Sequence, residues 1–217
     1  MKAQMKAPQQ GQKDTLLLLD FDGTIMFDEN ALATAAKAVT GREMLRGEIR
    51  KLDDETKKPI YHLAMTEYRH LMRPNPPVIE LAKGSFGRKR VMVLTARLED
   101  VSKETADLLR VCEMPYDELM LRPPELVFMD DEHWKADVIA GLLPKYRRIE
   151  VYEDKLDNLE HFADRFGIGT VGKGVNCLID YFHVKRDGIV PLENRSGIGL
   201  VPKKARSDHE WFWQTIE

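Results

Sequence analysis

The sequence predicts an α/β fold, with a mainly parallel sheet and a small helical insertion after its first strand. Three observations carry this. Apolar runs of strand length alternate with helical patterns through most of the chain. The first of these runs, Leu16-Leu17-Leu18-Leu19, ends abruptly in Asp20-Phe21-Asp22-Gly23-Thr24. The stretch between that run and the next predicted strand has a helical pattern and is rich in alanine and charge.

The first strand is expected over 15–20, and its unbroken apolar character suits a strand buried on both faces. It delivers Asp20 and Asp22 at its C-terminal end, where open α/β sheets bind ligands. Two carboxylates this close repel unless a metal binds them or one holds a proton, so the pair suggests chemistry. A strand ending in an Asp-Gly turn would be the purely structural alternative. The insertion, 27–75, has an alanine-rich stretch at 31–38 and a charged amphipathic region from 42 to 72. It closes on Arg73-Pro74-Asn75-Pro76-Pro77.

The next strand is expected at 90–95, ending in Thr95, with Ala96 and Arg97 leading into a helix over 98–111. Thr95 is expected to cap that helix in any case. A strand at 117–121 is followed by a helix over 133–143 that carries Lys135 and stops at Pro144. The strand at 148–153 runs into the acids Glu153, Asp154 and Asp157, and a helix over 156–165 stops at Gly167. A last strand is expected at 176–183. Taken alone, Lys135 is an ordinary solvated charge, and Glu153-Asp154 is an acidic helix start favoured by the dipole.

Composition fits one soluble enzyme-sized domain. The chain has 217 residues, 43% hydrophobic and 32% charged, with a formal net charge of −3. That balance gives no global footprint of nucleic-acid binding, and no apolar run approaches membrane-spanning length. Residues 1–14 are rich in Lys and Gln, lack the apolar centre of a signal peptide and are expected to be disordered. Cys112 and Cys177 have no metal-like spacing and read as reduced thiols of a cytoplasmic protein. The expected core is 15–26 with 76–184. The extension 185–217 matches no motif, although Trp211-Phe212-Trp213 is expected to dock on the core. Gly167-Ile168-Gly169-Thr170-Val171-Gly172-Lys173-Gly174 has the G-x-G-x-x-G string but follows a helix and precedes a strand, the wrong context for a dinucleotide or phosphate loop. Basic clusters at Lys83/Arg88/Lys89/Arg90, Lys145/Arg147/Arg148 and Lys203/Lys204/Arg206 read as solvated faces.

Four motifs in order, Asp20-x-Asp22-Gly23-Thr24, Thr95, Lys135 and Glu153-Asp154, resemble those of the haloacid dehalogenase superfamily. The resemblance implies a three-layer, Rossmann-like fold whose insertion is a small cap, and a phosphatase dependent on Mg²⁺. It implies Asp20 as the nucleophile and Asp22 as acid and base. An acid at Asp22 favours a phosphatase over the dehalogenases and ion pumps of the superfamily. The metal would be held by the Asp20 carboxylate, the Asp22 backbone carbonyl and Asp154. Thr95 and the following N–H at Ala96 would bind phosphoryl oxygens at a helix N-terminus, and Lys135 would offset charge. Asn158 stands where the superfamily often has an acid, which leaves Glu153 and Asp157 as candidates for the missing carboxylate. The 112–132 segment is too short for a larger cap, so an open site is expected.

A narrower resemblance covers about residues 15–167. Pro115 to Pro123, His133-Trp134-Lys135 and Ile149 to Asp154 look like the domains grouped with "Swiss Army Knife" RNA-repair proteins. They are also similar to the 3′-phosphatase domain of phage polynucleotide kinase. It implies RNA or DNA 3′-phosphate ends as substrate, with Arg97 and Arg122 as candidate contacts to polymer phosphates. Small-molecule phosphates and a non-catalytic binding module are the alternatives.

Overall fold

The computed structural model describes residues 13–168, 177–195 and 199–203. Among the described residues, strand β1, Thr15–Leu19, lies in a seven-stranded sheet, in the middle of its five parallel strands. After it come a two-residue strand β2, Met26–Phe27, and helices α1, Glu29–Thr40, α2, Arg46–Ile49, and α3, Asp54–Met65. The short strand β3, Arg73–Pro74, closes this insertion, and helix α4, Pro76–Ser85, follows it. The rest alternates: β4, Arg90–Leu98; α5, Ser102–Val111; β5, Glu118–Arg122; α6, Asp131–Leu142; β6, Arg148–Glu153; and α7, Leu156–Phe166. Strands β7, Leu178–Lys185, β8, Gly188–Arg195, and β9, Gly199–Pro202, complete the described residues.

The sheet order is β5-β4-β1-β6-β7-β8-β9. Strands β5, β4, β1, β6 and β7 run parallel, whereas β8 and β9 are antiparallel additions. Thus the chain beyond Val184, which carries no recognisable motif, extends the sheet by a strand and a further hairpin arm.

Side chains of β1 alternate between two cores, as period-two geometry requires. Leu17 and Leu19 join α1, α3, α4 and α5 on one face; Leu16 and Leu18 join α6 and α7 on the other. All four are essentially inaccessible, the burial their unbroken apolar run predicts. Small side chains at Ala31, Ala35 and Ala36 let α1 pack closely, so the insertion shares a core with the sheet. Its two ends are stapled together: β2 pairs with β3, and Asn75 Nδ2 donates to the Thr24 carbonyl at 2.9 Å. Pro76 then opens α4, where a missing N–H is tolerated.

Two expectations need correction. Strand β4 continues to Leu98, with a register shift between Thr95 and Leu98 against β5. The following helix begins only at Ser102, so Thr95 neither caps it nor lies at its N-terminus. A bulged strand keeps its extended backbone while re-aiming side chains, which is why the local pattern did not mark a break. The glycine string from Gly169 to Gly174 and the Trp211-Phe212-Trp213 motif fall outside the described residues. Among the described residues, no helix is long and apolar enough to cross a membrane.

Candidate active site

Parallel strands deliver their C-terminal ends to one edge of the sheet, and the sequence-predicted residues of β1, β4 and β6 meet there. Asp20 continues the ladder beyond β1 through its N–H to the Tyr152 carbonyl, at 3.0 Å. Phe21 is fully buried, and its carbonyl accepts from the N–H groups of Ile25 and Met26, folding 21–26 into a tight loop. Gly23 sits at φ +91°, and a Cβ there would fall 2.2 Å from Asp154 Oδ2. Only glycine lets this loop press against the acid from β6.

Lys135, on α6, is the electrostatic hub. Its ammonium donates to Asp20 Oδ1 at 2.6 Å and to Glu153 Oε2 at 2.7 Å, and all three side chains are buried. Burial opposes the charge on Lys135, but the two carboxylates outweigh it and hold the amine protonated. Burial would likewise raise Glu153, but Lys135 outweighs it and keeps that carboxyl low. Asp20 is pushed up to about 7 by burial and then by Glu153, with Lys135 opposing. Burial, Glu153 and Asp20 push Asp154 up to about 8.

This surplus of negative charge is what a cation would relieve. Oxygens of Asp20, Glu153 and Asp154 lie within 4.8 Å of one another. Asp154 Oδ1 is buried with no hydrogen-bond partner among the described residues. An all-oxygen donor set suits a hard divalent ion, so these residues fit one. Of the two candidate acids, Glu153 is buried with Asn158 beside it, whereas Asp157 is exposed.

Asp22 is gripped by Arg97, whose Nε and Nη2 donate to its two oxygens at 2.8 and 2.7 Å. Burial would raise Asp22, but Arg97 dominates and holds it below the usual carboxylate range. The guanidinium lies 4.2 Å above the Phe21 ring centroid and also reaches Thr105 Oγ1. Arg97 is only 2% exposed. It is therefore committed to Asp22, which corrects the expected contact to polymer phosphates. The β4 bulge is what turns it inward. Thr95 is buried, its hydroxyl accepting from the Arg97 N–H at 3.2 Å, and Ala96 is partly exposed. Arg122 Nη1 bonds the Met129 carbonyl and Asp131, fixing the loop between β5 and α6. Asp131 also takes Lys155, the neighbour of Asp154.

Sequence reasoning missed one cation. Arg46, from α2 in the insertion, pairs with Asp28 at 2.5 Å and reaches Asp154 at 3.4 Å. Nothing in the charged 42–72 stretch distinguishes it from its neighbours. His183 Nε2, on β7, also contacts the Asp154 carbonyl at 3.0 Å.

No protein-family model matches the chain, and no curated protein does. Solved structures do. A predicted phosphatase from Clostridium acetobutylicum is similar at a TM-score of 0.52 and 11% identity, over 78% of this chain and 94% of that one. A haloacid dehalogenase-like hydrolase from Streptococcus pneumoniae is similar at 0.49 and 13%, over 70% and 81%. The fold is haloacid dehalogenase-like. Within that fold, the acid-bearing ends of β1 and β6 and the Lys135 helix occupy one end of the sheet. A chain of the Pnkp1/Rnl/Hen1 RNA repair complex is also similar, at 0.45 and 16%, over 82% of this chain and 48% of that one.

Proposed function

We propose that this haloacid dehalogenase-like protein is a Mg²⁺-dependent phosphomonoesterase that works through an aspartyl-phosphate on Asp20. The observation that carries the reading is the buried Asp20–Lys135–Glu153 cluster beside Asp154 Oδ1, which has no hydrogen-bond partner among the described residues. Keeping carboxylates together in a buried site costs stability, and catalysis gives that cost a use.

Asp20 attacks phosphorus, a P–O bond forms to its carboxylate, and the bond to the leaving oxygen breaks. Asp22 supplies the proton that the leaving oxygen takes up. Water then attacks the phosphoryl group, passes its proton to Asp22, and frees Asp20 and inorganic phosphate. In the free site Arg97 holds Asp22 ionised. A phosphate dianion arriving beside it favours the protonated form that the first step needs. Lys135 offsets negative charge at the nucleophile. Mg²⁺, held by Asp20 and Asp154 with Glu153 behind them, would supply electrostatic stabilisation of the phosphoryl oxygens.

The substrate we favour is a nucleic-acid 3′-phosphate end. This rests on the motif order at Arg122, Lys135 and Asp154 and on an insertion of only three helices, one of them four residues long. Reach of Arg46 from that insertion to Asp154 favours instead a small phosphate covered by the cap. Mg²⁺-dependent phosphate release from a 3′-phosphorylated oligonucleotide and from an aryl phosphate, for wild type and Asp20→Asn, separates these. Release from the oligonucleotide that vanishes in Asp20→Asn supports the polymer end. Release from the aryl phosphate alone retains the chemistry and discards the polymer. No release from either overturns the proposal.

A further inference from the structure

Phe128 is the most exposed large hydrophobic side chain among the described residues, at 84%. A lone exposed aromatic is unremarkable on a surface; the position of this one is not. It belongs to the loop after β5, and β5 runs parallel to β4 and β1, so this loop lies at the end of the sheet where Asp20 sits. The loop is held by Arg122, which binds the carbonyl of Met129, the residue next to Phe128, and by Asp131. Asp131 in turn binds Lys155, adjacent to Asp154. From the opposite side, Lys58 of α3 places its ammonium 5.4 Å from the Phe128 ring centroid. Among the described residues Lys58 forms no ion pair. A flat apolar ring and an amine, the latter also felt by Asp54, thus stand together, one on the core loop at the Asp20 end of the sheet and one on the insertion.

We propose that Phe128 and Lys58 form a subsite for the nucleotide next to the scissile phosphate. The Phe128 ring stacks the base, and Lys58, displaced from the ring, meets a backbone phosphate. This rests on the nucleic-acid reading above and adds the residues that would recognise the polymer. Aromatic stacking tolerates every base, so single-stranded ends of any sequence would be accepted.

The test is binding of a labelled, single-stranded 3′-phosphorylated oligonucleotide to the Asp20→Asn protein, alone and combined with Phe128→Ala, Phe128→Trp or Lys58→Gln. Phe128→Ala is expected to weaken binding by about 5- to 150-fold. Phe128→Trp should retain it, and an oligonucleotide abasic at its 3′ terminus should erase the difference between them. Lys58→Gln should reduce the slope of log affinity against log salt by about 0.7. Acetyl phosphate has no ring to stack, so the Phe128→Ala enzyme with Asp20 intact should turn it over at the wild-type rate. Equal binding with and without Phe128 would overturn this subsite and leave the polymer reading standing. Absence of oligonucleotide binding by the Asp20→Asn protein, with acetyl phosphate still hydrolysed by wild type, would overturn both and leave the phosphomonoesterase chemistry.

Discussion

Lys135 shows how much one side chain can carry. It is buried between two carboxylates and donates to each. Lys135→Met strands that pair without a cation. The expected cost is about 3–5 kcal/mol of stability together with loss of phosphatase activity, measured by urea denaturation and phosphate release. The same crowding sets the response to pH. Asp20 at about 7 and Asp154 at about 8 lie above their ordinary values. Through these two acids the folded metal-free protein binds more protons than the unfolded chain, and the stability they contribute is lost as pH rises from about 4 to about 8. Mg²⁺ competes with those protons, so it should raise the melting temperature more at pH 8 than at pH 6. Thermal unfolding with and without Mg²⁺ at the two pH values measures this; an equal gain at both would contradict the assignment of these acids as ligands.

At the scale of elements, strand β4 and the insertion position the chemistry. The shift in β4 after Thr95 brings Arg97 onto Asp22, a consequence invisible in a hydrophobic run that simply continues to Leu98. Helix α2 is only four residues long, yet Arg46 ties the insertion to the core through Asp28 and Asp154. Arg46→Ala leaves Asp28 buried and unpaired. Stability should fall by roughly 2–4 kcal/mol, somewhat below a fully buried pair because Arg46 is partly exposed. Arg46→Lys should recover only part of this, since a point charge cannot fork between two acids. Equilibrium denaturation of both variants checks the order.

For the whole molecule, the sheet does not end where the motifs end. Strand β8 covers the edge of β7, and Leu192 from β8 enters the core beneath α6 and α7. Truncation after Lys185 removes that residue and leaves β7 as an open edge. The shortened chain is expected to lose about 2–5 kcal/mol for Leu192 alone and to aggregate on heating, followed by denaturation and light scattering.

The parallel α/β order and the Asp20/Asp22 pair were legible in the chain because each is local, whereas Lys135 and Asp154 stood out only through the resemblance of four motifs in order. An apolar run, a turn and an acid at its end are written in consecutive residues, and the sheet's own geometry gathers the strand ends. What only the tertiary structure decided is which charge meets which. Glu153 rather than Asp157 turns inward, because β6 still sets the direction of its side chain while Asp157 lies on the exposed face of α7. Arg97 meets Asp22, and Arg46 meets Asp28 and Asp154, across 75, 18 and 108 residues of chain. Partners so distant leave no spacing to read. Their pairing follows from packing, which removes water and makes each buried charge seek the nearest opposite one.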